Sequence, residues 1–229
     1  MENQAATDKP ADDGRVILDP VEVRVLAVLA EKEALTPDVY PMSLNALVNG
    51  CNQLSSRDPV MALDESAVLD ALHRLMERRL VAEVSLAGAR VSKYEHRLRI
   101  RFALEQDKLA ALTVLMLRGP QTAGEVRTRS GRIHEFASVA DAEAALQFLI
   151  DKYPPLVARL PRAPGTKEAR YMHLLGGADA SSEDALPAAA GGAGSRSDRL
   201  VQLEEEVARL REETARLAAQ FEEFRKQFE

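Results

Sequence analysis

The chain has 229 residues, 46% hydrophobic, 4% aromatic and without Trp, which suits two small helical domains with Leu, Val and Ala cores. A net charge of −6 argues against a surface that binds nucleic acid all over, and the single Cys51 excludes an internal disulfide framework and fits a reducing compartment. No apolar run approaches the ~18 residues of a membrane span, and the polar, acidic stretch from Met1 to Asp13 lacks the apolar core of a secretory signal. The expected location is therefore the cytoplasm, with no membrane partner.

Residues 1–18 read as a disordered tail. Asp19-Pro20-Val21-Glu22 then opens a helix: Asp19 caps, Pro20 suits the first helical position, and Glu22 completes a capping box. The Thr36-Pro37 step ends it. A short second helix follows over Ser43–Gly50, and Ser55–Pro59 is a turn. Asp64 caps a third helix, with Val68, Leu72, Leu75 and Met76 at helical spacing. Leu80–Leu86 and Arg90–Leu98 read as strands of a hairpin around Ala87-Gly88-Ala89.

The same order then recurs. Gln106–Leu117 is a helix stopped by Gly119-Pro120. Thr122–Glu125 and Ser138–Asp141 are capping boxes that open two more helices, the second running to about Tyr153. Leu156–Leu160 and Ala169–Leu174 flank a hairpin turn at Ala163–Thr166. Three helices followed by a hairpin, twice, is the order of two winged-helix domains. The expected class is thus mainly α with small β-hairpins (α+β): domain one over 19–100, domain two over 101–176, and an Ala/Gly/Ser-rich linker over 177–196.

Residues 197–229 change character. Leu200, Leu203, Val207, Leu210, Thr214, Leu217, Phe221, Phe224 and Phe228 alternate at spacings of three and four without a break. That is a heptad seam, and Leu at d favours a parallel homodimer. Arg199 would face Glu204 of the partner copy and Glu206 would face Arg211. The alternative is a lone amphipathic helix folded back on the domains. The oligomerisation residues are Leu200, Leu203, Val207, Leu210, Leu217, Phe221 and Phe224.

Several long segments carry a family resemblance. Tyr40–Gln53 (YPMSLNALVNGCNQ) continues into Ser56–Met61 (SRDPVM); Val91–Leu98, Leu117–Thr122, Arg132–Phe136 and Glu168–Tyr171 add to it. Over about residues 15–175 the chain resembles the YceH family of bacterial proteins. The resemblance implies two winged-helix domains and carries no established activity.

Enzyme motifs are missing. There is no phosphate-binding Gly-rich loop, no Cys-x-x-Cys and no His-Glu-x-x-His. His73, His96, His134 and His173 are scattered, Cys51 reads as a small core residue, and Ser55–Asp58 reads as a turn. No catalytic residue, metal or cofactor is expected. Nucleic-acid contact is harder to exclude, because residues 99–176 hold twelve basic against eight acidic groups. The third helix of a winged helix normally enters the major groove. In domain one that helix exposes Asp70, His73, Arg74, Glu77 and Arg78, a mixed face; in domain two it exposes Asp141, Glu143, Gln147 and Asp151, an acidic one. The candidate contacts to double-stranded DNA are Arg57, Arg74, Arg78, Lys93, Arg127, Arg129, Arg132, Arg159 and Arg162. The sequence leads to a dimeric DNA-associated protein, a regulator in type; the alternative is a protein-interaction module that docks through its winged helices and coiled coil.

Overall fold

The structure, a computed structural model, describes residues 15–84, 91–162 and 168–177. The expected coiled coil (197–229), residues 178–196 of the expected linker, residues 1–14 of the expected tail and the two hairpin tips lie outside the described residues; residues 15–18 of that tail are described, and Leu18 is buried. Helix α1 spans Pro20–Leu35. Asp19 Oδ1 accepts from the Glu22 amide at 2.8 Å and Glu22 Oε2 accepts from the Asp19 amide at 2.8 Å, so the capping box is made in both directions. The short strand β1 (Met42–Ser43) runs directly into α2 (Leu44–Cys51), capped by the Ser43 hydroxyl. Helix α3 (Glu65–Glu77), capped by Asp64, leads to β2 (Val81–Val84) and β3 (Lys93–His96).

The second half repeats this plan. Helix α4 (Leu98–Phe102) links the halves; α5 (Gln106–Arg118), β4 (Gln121–Thr122), α6 (Ala123–Ser130), α7 (Val139–Asp151), β5 (Val157–Arg159) and β6 (Arg170–His173) follow. The described chain is therefore α+β, with seven helices and two antiparallel three-stranded sheets, β1-β3-β2 and β4-β6-β5. The sequence indicated two strands per sheet. The third strand in each is a two-residue extension that also positions the N-cap of the next helix, too short to carry an alternation signal.

Helix α4 is a second departure. The run from Arg90 to Leu98 looks like one strand, but β3 stops at His96, whose Nδ1 accepts from the Leu98 amide at 3.2 Å. The backbone then coils through Leu98–Phe102 and leaves at Ala103 in the left-handed region, φ 48°.

The core explains why α1 and α5 show little amphipathic pattern. Val23–Ala30 on α1 and Leu109–Leu117 on α5 are buried on every side. These two helices pack on each other; α2, α3 and β3 lie against α1, while α6, α7 and β6 lie against α5. One continuous apolar cluster results, from Leu18 to Leu175. The Leu18 amide donates to the Leu175 carbonyl at 2.7 Å, joining the two ends of the cluster. All of this lies in one compact unit.

Candidate functional site

Three polar side chains on α1 are buried, and each fixes a neighbouring element. Glu22 accepts from Arg74 Nε at 3.1 Å and lies 3.6 Å from Arg78. Arg24 donates to the Cys51 carbonyl at 3.1 Å and to the Pro59 carbonyl at 2.6 Å; burial, then the nearby Arg57, lowers its pKa. Glu31 holds Arg57 in a two-pronged pair at 2.6 and 3.1 Å. Arg57 also reaches the Gly50 carbonyl and Gln53, and its side chain is fully buried. Asn52 closes the loop by exchanging two hydrogen bonds with the Leu63 backbone. The Asp58 amide then donates to the Leu117 carbonyl, fastening the loop to α5. Much of the long Tyr40–Met61 signature is thus framework. The Cys51 thiol lies inside it, pushed up to about 12 by burial and so held protonated.

This geometry redistributes the arginines expected at DNA. Arg57 is corrected outright, because a fully buried guanidinium paired with Glu31 offers nothing to a phosphate. Arg74 is paired with Asp19 at 2.7 Å and with Glu22, and Arg78 reaches the Ile17 carbonyl as well as Glu22. Lys93 is half-buried in the middle strand β3, opposite Ser43 and Val84. Arg127 and Arg129 are two residues apart on α6, about 200° around a helix, and they diverge. Arg127 donates to the Phe136 and Ala137 carbonyls; Arg129 is held by Gln121 and Glu125. Glu125 lies 3.6 Å from Arg170 as well, so an acid sits within that basic group. Arg132, Arg159 and Arg162 are exposed, with no ion pair among the described residues.

Two surfaces stand out instead. The first is an open groove of about 480 Å³ between the end of α3, β2 and α4. Its floor is Met76 and Val81, and Ile100, Arg79, Arg97 and Arg101 rim it. Ile100 is 74% exposed. Arg97 and Arg101 are one helical turn apart and share a side; Arg97 pairs with Glu95 at 2.9 Å. Arg79 is delivered by a backbone reversal. Its amide donates to the Met76 carbonyl and the Leu80 amide to the Leu75 carbonyl, the Schellman arrangement, with Arg79 at φ 58° where glycine is usual. A domain boundary drawn at residue 100 cuts through this cluster and hides it. The basic spacing is visible in the sequence as Arg97-Leu98-Arg99-Ile100-Arg101, but a strand ending at Leu98 separates Arg97 from Arg101.

The second surface is the outer face of α7. Asp141, Glu143, Gln147 and Asp151 are exposed there, as expected. Phe148 is also 41% exposed and Val139 42%, which makes the face acidic and apolar together. Lys108 and Lys152 lie 5.3 and 5.0 Å from the centre of the Phe148 ring. Among the described residues, no group of three or more His, Cys, Asp or Glu is placed to hold a metal, and no helix is long and apolar enough to cross a membrane.

Comparison with known proteins gives a consistent result. A family model described as "Protein of unknown function, DUF480" matches residues 18–166. A UPF0502 protein of Janthinobacterium sp. (strain Marseille) is 66% identical over 229 residues, covering 100% of this chain and 98% of its own. One from Azoarcus sp. (strain BH72) is 57% identical over 226 residues, covering 97% and 99%. One from Geobacter sulfurreducens is 49% identical over 218 residues, covering 93% and 99%.

Proposed function

We propose that this chain, which belongs to the DUF480 family of bacterial proteins of unknown function, is a non-enzymatic docking module built from two winged-helix units. The observation that carries this is the outer face of α7. In a DNA-reading winged helix the third helix meets the major groove. Here that helix presents Asp141, Glu143 and Asp151 on its exposed side, together with an exposed Phe148. Three carboxylates against a phosphate backbone are repulsive, whereas an exposed aromatic side chain is the kind of anchor a protein interface uses. The commitment of Arg57, Arg74, Arg78 and Arg129 to internal carboxylates supports the same conclusion. The heptad seam read in the sequence supplies the expected pairing, and with it two copies of each face.

A second reading, DNA association, draws on Arg132, Arg159 and Arg162, which are exposed in the second half. The two are separated by fluorescence anisotropy of the full chain against a random duplex, titrated over salt. The docking reading expects no binding near physiological salt and at most a weak signal at low salt. Tight binding whose affinity falls steeply with salt would replace it with the DNA reading.

A further inference from the structure

The two surfaces described above are complementary. The groove brings three arginines and one carboxylate, Glu95, around an apolar floor. The α7 side brings Asp141, Glu143 and Asp151; Lys108 and Lys152 both lie against the Phe148 ring, and Lys108 is itself paired with Glu105 and Asp107. The groove therefore has a positive excess and the α7 side, counted with Glu105 and Asp107, a negative one, with apolar side chains among the charges of each. Glu143 and Asp151 are eight residues apart, about 12 Å along the helix; around it, Phe148 lies about 60° from Asp151 and about 140° from Glu143. The groove is of a size that accepts a bulky apolar body, about 300–1,000 Å³ being usual for such sites. It is also open, which suits a helix side chain entering from outside.

Resting on the docking reading, we propose that the arginine groove of one copy receives the α7 face of a second copy. Phe148 sits over Ile100 and Met76, Asp151 meets Arg97 and Arg101, and Glu143, on the other edge of α7, adds to the acidic field that draws the two together. The retention of Arg79 in a left-handed backbone position is consistent with a side chain kept for contact, since glycine would serve the turn better. Bare phosphate backbone matches this groove poorly, because its floor is apolar. Every copy carries both surfaces, so the contact closes reciprocally in a pair or continues head to tail.

The test is a cross-link between two differently tagged, full-length chains that are co-expressed and purified together. One carries Ala82→Cys in the groove; the other carries Gln147→Cys on α7. The native Cys51 is buried and does not compete. A short bis-maleimide should join the two chains. Adding Arg97→Glu and Arg101→Glu to the first chain should cut the yield about tenfold through like-charge repulsion. Adding Glu143→Arg and Asp151→Arg to the second chain should then restore it. All four positions are at least partly exposed, and circular dichroism checks that each variant is folded. A yield indifferent to the reversal, or not restored by the swap, would overturn the assignment to a second copy. So would a duplex that competes the cross-link away, which would make the groove a nucleic-acid site. If the anisotropy shows no DNA binding while the cross-link ignores charge, only this contact fails and the docking reading stands.

Discussion

Arg57 carries its charge into the interior and meets Glu31, Gln53 and the Gly50 carbonyl there. Truncating one member of such a pair strands the other, so Arg57→Ala should lower unfolding stability by about 3–5 kcal/mol in urea titration. Lys32, 3.1 Å from Glu31, pulls the loss toward the lower end. Arg79 predicts the opposite sign. Arg79→Gly removes left-handed strain and should raise stability by about 1 kcal/mol, while weakening whatever the groove holds. Two titrating groups give separate pH windows. The His96 imidazole, set against Glu33, and then Arg99 hold the Glu33 carboxyl down to about 2 against burial. Its contribution is present above the ordinary carboxylate range and is lost as pH falls from about 4.5 towards 2. Burial depresses His173 to about 4, and its buried Nδ1 has no hydrogen-bond partner among the described residues. That contribution is complete above about 6.5 and is lost as pH falls towards 4. Glu33→Gln should flatten the lower window of a stability–pH curve and His173→Gln the upper one. None of these environments was legible in one dimension. Residue type shows that Arg57 is basic, but not that it is interior.

At the scale of elements, α1 and α2 approach each other closely at Gly50. A Cβ on Gly50 would lie 2.7 Å from Val28 Cγ1, and Val28 is fully buried with no room to retreat. Gly50→Ala should therefore destabilise the fold by about 1–3 kcal/mol through overpacking. Adding Val28→Ala should recover part of it, a coupling that a double-mutant cycle of denaturation midpoints measures. Helices announced by side-chain chemistry were legible. The boxes at Asp19, Thr122 and Ser138 form as their spacing indicates, because a cap depends on residues three apart. Elements defined by partners far along the chain were not. β1 and β4 exist only because β3 and β6 lie beside them, and α4 exists because His96 turns back on the Leu98 amide. The acidic face of α7 was visible as a pattern of Asp and Glu, whereas the groove needed α3, β2 and α4 brought together.

For the molecule as a whole, α1 and α5 form the shared spine, and the two halves turn their outer faces in different chemical directions. One is basic around Ile100; the other is acidic around Phe148. The proposed docking rests on that opposition, and sedimentation velocity of the full chain over a range of concentrations tests it most directly. Wild type and the Glu143→Arg/Asp151→Arg variant are compared in buffer and in about 1 M salt, where screening leaves a range of only about 3 Å. The account predicts that the wild-type sedimentation coefficient climbs faster with concentration than the variant's, and that high salt narrows the gap. Superimposable curves at every concentration and both salts would contradict it.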